Sequence, residues 1–79
     1  MAENEFKCTV SFWWDEESAV WIATSEDIAG LVLEDESFDR LSKRVEKAIP
    51  ELLVLNHRPT GIIRYLFKAE KSGKEVVYG

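Results

Sequence analysis

The chain has one cysteine, Cys8, and one histidine, His57. A lone cysteine excludes an internal disulfide framework and a multi-cysteine metal site, and it is the usage of an intracellular protein. No apolar run approaches the ~18–20 residues of a membrane span. The start of the chain, with Glu3, Asn4 and Glu5, lacks the form of a signal peptide. A cytoplasmic protein without a membrane partner is expected. Basic residues are few: 10 Lys and Arg stand against 15 Asp and Glu, a net charge of −5. That balance disfavours nucleic acid as a direct partner, because phosphate binding depends on clustered Lys and Arg. It suits a basic protein partner. Phosphate loops, dinucleotide fingerprints and zinc-binding helix motifs are all missing. No cofactor or metal is expected, and no residue is assigned a catalytic role.

What is present belongs to one small folded domain over residues 1–79. With 46% hydrophobic and 11% aromatic residues, the chain is not of disordered composition. A core of this size buries only about 60–65% of the unfolded surface. Each well-buried large apolar side chain contributes roughly 1.5–3 kcal/mol, and ordering entropy offsets most of the sum. Self-association, most simply a homodimer, is a natural supplement.

The stretch from Ser37 to Asn56 organises the rest. Phe38, Leu41, Val45, Ala48/Ile49, Leu52 and Leu55 recur in steps of three and four, which draws one apolar stripe along a helix. Ser37 is a good N-cap, and Glu34, Asp35, Glu36 and Asp39 suit the positive end of the helix dipole. Pro50 removes a backbone hydrogen bond, so a kink or break is expected near Glu46–Pro50.

The strands flank this helix. Phe6 to Trp14 alternates, with Phe6, Cys8, Val10, Phe12 and Trp14 on one face and Lys7, Thr9, Ser11 and Trp13 on the other. Asp15, Glu16, Glu17 and Ser18 form a turn. Ala19–Ser25 returns as an apolar strand. Gly30 falls in the following loop, where it takes a backbone conformation that other residues disfavour. Leu31–Asp35 is a short third strand with Leu31 and Leu33 inward. Pro59 and Gly61 end the helix region, and Ile62–Glu70 is a fourth strand. Residues 75–79 form a short extra strand or a frayed end. The order β-β-β-α-β predicts an α+β fold: a small, mostly antiparallel sheet of order 3-2-1-4, with one helix on one face. The other face then carries Trp13, Trp21 or Ile22, Ile62 and Leu66 with no layer over it, the pattern of an interaction surface.

Candidate chemistry is thin. The β-β-β-α-β order is that of the first half of a ribonuclease-H-type sheet, but those enzymes place an acid in the middle of the first strand, and Phe6–Trp14 has none. The acids Asp15/Glu16/Glu17, Glu26/Asp27 and Glu34/Asp35/Glu36 sit at turns and at a helix start, where solvation and capping explain them. A weaker reading gives Asp27 and Glu34–Glu36 a divalent cation and residual nuclease activity. His57 follows the helix with no pointed-to partner, and Cys8 reads as a buried, unreactive thiol. Arg40, Lys43, Arg44 and Lys47 make a basic patch on the outer helix face. RNA binding there is the alternative function, set against a solvated face with Asp39–Lys43 and Lys47–Glu51 pairs and no interleaved aromatic. Tryptophan is enriched at binding hot spots, which draws attention to Trp13.

The run Trp14-Asp15-Glu16-Glu17-Ser18-Ala19-Val20-Trp21-Ile22-Ala23-Thr24-Ser25, followed by Asp27-Ile28-Ala29-Gly30-Leu31, resembles a short prokaryotic branch of the HicB antitoxin N-terminal domains. The matching positions are Trp21 on strand two, Asp27 with Gly30 before strand three, and Ser37 at the helix cap. Ala48-Ile49-Pro50-Glu51-Leu52-Leu53 and Leu55-Asn56 are similar to the short branch's helix end. The resemblance covers about residues 6–56. It implies a degraded ribonuclease-H-like half without catalytic acids, and an antitoxin-like, non-enzymatic role: binding and neutralising a small basic ribonuclease toxin of the HicA type. Partner contact is then expected at Trp13, Asp15, Glu16, Glu17, Trp21 and Asp27. Full-length HicB proteins carry a C-terminal DNA-binding segment for which these 79 residues have no room, so direct DNA binding is not expected.

Overall fold

The computed structural model describes residues 5–57 and 61–73; Pro59 and the expected element at 75–79 lie outside them. The elements are β1 (Glu5–Asp15), β2 (Val20–Thr24), β3 (Val32–Asp35), α1 (Phe38–Leu55) and β4 (Ile62–Glu70). They form one sheet of order β3-β2-β1-β4. β1 pairs antiparallel with β2, β2 antiparallel with β3, and β1 parallel with β4. A parallel β1–β4 pair cannot be joined by a hairpin, so the chain needs a crossover, and α1 supplies it. The α+β class and strand order are those the sequence predicts.

The alternation of β1 sets the layers. Cys8, Val10 and Phe12 are buried while Lys7, Ser11 and Trp13 are exposed. The buried set meets Ala23 of β2, Leu31 before β3, Ile28, and the helix residues Leu41, Val45, Ile49 and Leu53. Phe12 is the hub: its ring lies 5.1 Å from that of Phe38 and 4.9 Å from that of Phe67. Leu53, not Leu55, closes the helix stripe; Leu55 is exposed. The buried positions 41, 45, 49 and 53 step by four, which advances about 40° past each full turn. The stripe therefore slants around the helix and carries Leu55 off the sheet.

Both ends of α1 are capped by side chains. The Ser37 Oγ accepts from the Arg40 N–H at 3.2 Å, and the Asp35 Oδ1 accepts from the Ser37 N–H at 2.9 Å. At the other end the Asn56 side-chain amide donates to the Leu52 and Ala29 carbonyls at 2.9 and 3.2 Å. His57 follows with φ 55° and donates its N–H to Val54 O, the left-handed step that commonly ends helices. The expected break at Pro50 does not occur: α1 is continuous from Phe38 to Leu55. Pro50 and Glu46 are both exposed. The missing hydrogen bond thus falls on the watered side, where the Glu46 carbonyl can be solvated.

Candidate partner-binding face

The sheet face opposite α1 has no second layer in the described residues. Its residues follow from the register. Across β3-β2-β1-β4 the first row is Glu34, Ile22, Trp13 and Glu70, and the second is Val32, Thr24, Ser11 and Lys68. Below them Thr9 faces Leu66, Lys7 faces Arg64, and Glu5 faces Ile62. Trp13 is 40% exposed at the centre of the first row, with a carboxylate at each end of that row. Beside it lies an open depression of about 620 Å³ lined by Thr9, Ser11, Trp13, Thr24, Glu26, Asp27 and Lys68. The face is less apolar than the sequence predicts. Trp13, Ile22 and Val32 are separated from Leu66 and Ile62 by Thr9, Ser11, Thr24 and Lys68. It is a tryptophan set among hydroxyls, with Lys68 beside it and acids at its margin.

Asp27 has a structural duty that sequence reading missed. In the β1–β2 register Ser11 faces Thr24, so Thr9 would next face Glu26, but β2 has already ended. Instead the Thr9 N–H donates to Asp27 Oδ2 at 2.8 Å, and the Ser25 hydroxyl donates to Thr9 O at 2.7 Å. The Asp27 N–H donates back to Ser25 Oγ at 3.1 Å. Two side chains thereby complete the ladder that the backbone leaves. The signal was the Ser-x-Asp spacing, which favours side-chain-to-backbone turns.

The two tryptophans named for partner contact lie on opposite faces. Trp13 is on the open face, whereas Trp21 faces α1. Its ring packs edge-on against Phe38 at 5.0 Å and Trp14 at 5.7 Å. Ile22, opposite Trp13, takes the open-face place. Asp15 ends β1, and Glu16 and Glu17 stand exposed in the turn, where Asp15 Oδ1 accepts from the Glu17 N–H at 3.2 Å. Ala19 closes that turn at φ 55°. These acids border the row that holds Trp13.

The basic helix patch is divided. Arg40 pairs with Asp35 at 2.6 Å and donates its Nε to both carboxylate oxygens; Arg44 Nη1 reaches Asp35 at 3.4 Å and Glu34 O at 2.9 Å. The Arg40 guanidinium, the Ser37 N–H and Arg44 hold the Asp35 carboxyl well below the usual carboxylate range. The expected Asp39–Lys43 and Lys47–Glu51 pairs are not formed among the described residues. Lys43 and Lys47 are therefore the patch's remaining cations. Asp27 and Glu34–Glu36 do not converge, and no three His, Cys, Asp or Glu among the described residues gather closely enough to hold a metal ion. Cys8 is buried, and burial, then the Asp27 charge, raises its thiol pKa. No helix among the described residues is long and apolar enough to cross a membrane.

A four-stranded mixed sheet with one helix layer defines a small α+β module. The chain belongs to the family described as Domain of unknown function (DUF1902), whose model matches residues 7–79. It is similar to the crystal structure of a hypothetical protein from the extremely thermophilic bacterium Thermus thermophilus. The two share 28% identity with a TM-score of 0.68, over 90% of this chain and 99% of that one. No curated protein matches the chain.

Proposed function

We propose that this chain is a non-enzymatic, HicB-like protein-binding module that self-associates and takes a small basic protein on its open sheet face. The partner of choice is a ribonuclease toxin of the HicA type, which the module occludes and neutralises in the cytoplasm. The observation that carries the reading is Trp13, large and exposed on an uncovered face, with Glu34 and Glu70 ending its row and Glu26 and Asp27 beside it. An aromatic anchor with four carboxylates near it against the single ammonium of Lys68 is the anatomy of a hot spot with a net acidic, steering rim. Asp15, Glu16 and Glu17 extend the acidic rim, and the net charge of −5 has the sign that attracts a basic partner. Trp21 serves the core beneath this face and not the contact itself.

The test is to seek a small basic reading frame adjoining this protein's gene and to titrate its purified product calorimetrically. The expected result is saturable binding that Trp13→Ala weakens by about 2 kcal/mol or more. Absence of such a frame, or of binding to its product, removes the toxin reading. RNA binding through the helix is the weaker reading, because Asp35 engages Arg40 and Arg44 and leaves Lys43 and Lys47. A titration with single-stranded and duplex RNA at low salt decides it, since phosphate contacts are strongest there.

A further inference from the structure

Among the described residues β4 is an outer strand of the sheet, and α1 packs toward β3 and β2 instead. Its apolar residues are open: Ile62 is 41%, Tyr65 46% and Leu66 56% exposed. The direction of its backbone groups follows from Thr9, whose N–H and C=O turn to the β2 side. Alternation then turns those of Cys8, Val10 and Phe12 toward β4. In the parallel β1–β4 register, Arg64, Leu66 and Lys68 answer them. The N–H and C=O groups of Ile63, Tyr65, Phe67 and Ala69 therefore point outward along a strand of nine residues. Such an edge is a template for another strand.

We propose that β4 pairs antiparallel with β4 of a second copy of this chain, about a two-fold axis through Phe67. This deepens the self-association named above and rests on that part of the reading, not on the basic partner. Charge selects the register. An axis at Leu66 sets Arg64 opposite the partner copy's Lys68, like charges that repel when directly opposed. An axis at Tyr65 opposes Arg64 to Leu66 and leaves Glu70 without a role. An axis at Phe67 opposes Arg64, which also pairs with Glu5 of its own chain, to Glu70 twice, once on each side. The same register places two Phe67 rings together on the helix side, each already stacked on its Tyr65 at 4.8 Å. The outward groups of Tyr65, Phe67 and Ala69 then meet as hydrogen-bonded pairs. Pairing β4 with β3 of another copy would be head-to-tail, leaving one β4 and one β3 open in a dimer. β3 has only four residues and carries Glu34 and Asp35. The two-fold pairing closes.

The experiment is solution mass by light scattering across a concentration series. Wild-type protein is expected as a dimer. Ala69→Pro removes an N–H that faces outward and that the β1 ladder does not use, so the fold should persist. Its dimer dissociation constant should rise by about tenfold or more. Glu70→Arg should weaken the dimer at low salt, and Arg64→Glu combined with Glu70→Arg should restore it. Circular dichroism checks that each variant is folded; should Ala69→Pro not fold, the charge exchange decides alone. A wild-type monomer, a folded Ala69→Pro dimer as tight as wild type, or loss of the dimer in Trp13→Ala overturns the proposal. Partner titration is read separately: a dimer that binds no basic partner fails only the toxin reading, and a monomer that binds one fails only this pairing.

Discussion

Cys8 carries the only thiol, and it is buried beside the point where Asp27 closes the ladder. Burial and that nearby charge both favour the protonated form. Native protein should therefore resist a thiol-reactive dye, with full labelling only after denaturation; rapid native labelling would contradict this. Asp27 itself should matter to stability before any partner is added. Asp27→Ala leaves the Thr9 N–H without its acceptor and should cost roughly 1–3 kcal/mol in urea unfolding, whereas Asp27→Asn keeps an acceptor oxygen and should cost less. Asp35 supplies a pH dependence. Its folded carboxyl titrates below the usual range because of Arg40, Ser37 and Arg44, while an unfolded aspartate titrates near about 3.9. Between those values the unfolded chain binds more protons, so the stabilisation is present above about pH 4 and is lost as pH falls. Asp35→Asn should flatten that acid limb; an unchanged limb would assign the acid sensitivity elsewhere.

Among the elements, α1 gives the clearest tests. Ile49 is buried at the centre of its stripe, so Ile49→Ala should cost about 2–5 kcal/mol. Pro50 faces solvent within the same turn, and Pro50→Ala restores a helix hydrogen bond without touching the core. It should raise stability by about 1–3 kcal/mol; a loss would mean that the proline shapes the helix for its packing. The helix and β1 were legible because their patterns are local: a stripe at steps of three and four, and strict alternation from Phe6 to Trp14. β2 was less so. Val20–Thr24 is apolar on both sides, and periodicity cannot assign its faces. Only the register with β1 shows that Trp21 faces the helix and Ile22 the solvent. The ladder closure by Ser25 and Asp27 was hidden for the same reason, since it depends on where β2 stops against β1. Tyr65 stacks on Phe67 on the helix side of β4, but its exposure depends on how far α1 reaches across the sheet, a tertiary fact with no sequence period.

For the whole molecule, size and charge explain the division of surfaces. Among the described residues the core holds ten buried apolar side chains, which is small, and the sheet they form has one face and its β4 edge uncovered. The edge offers backbone hydrogen bonds and self-complementary charge, which suit a second copy. The face offers Trp13 and an acidic margin, which suit a basic protein. The two surfaces meet at Glu70, which ends the Trp13 row on β4, and the Trp13 side of the face stays open in a β4-paired dimer. The decisive measurement is a search for a small basic reading frame adjoining this protein's gene and calorimetric titration of its product into wild type, Trp13→Ala and Ala69→Pro. Wild type and Ala69→Pro should bind with similar affinity, and Trp13→Ala should lose about 2 kcal/mol or more. Equal binding by Trp13→Ala would show that the open face is not the partner site.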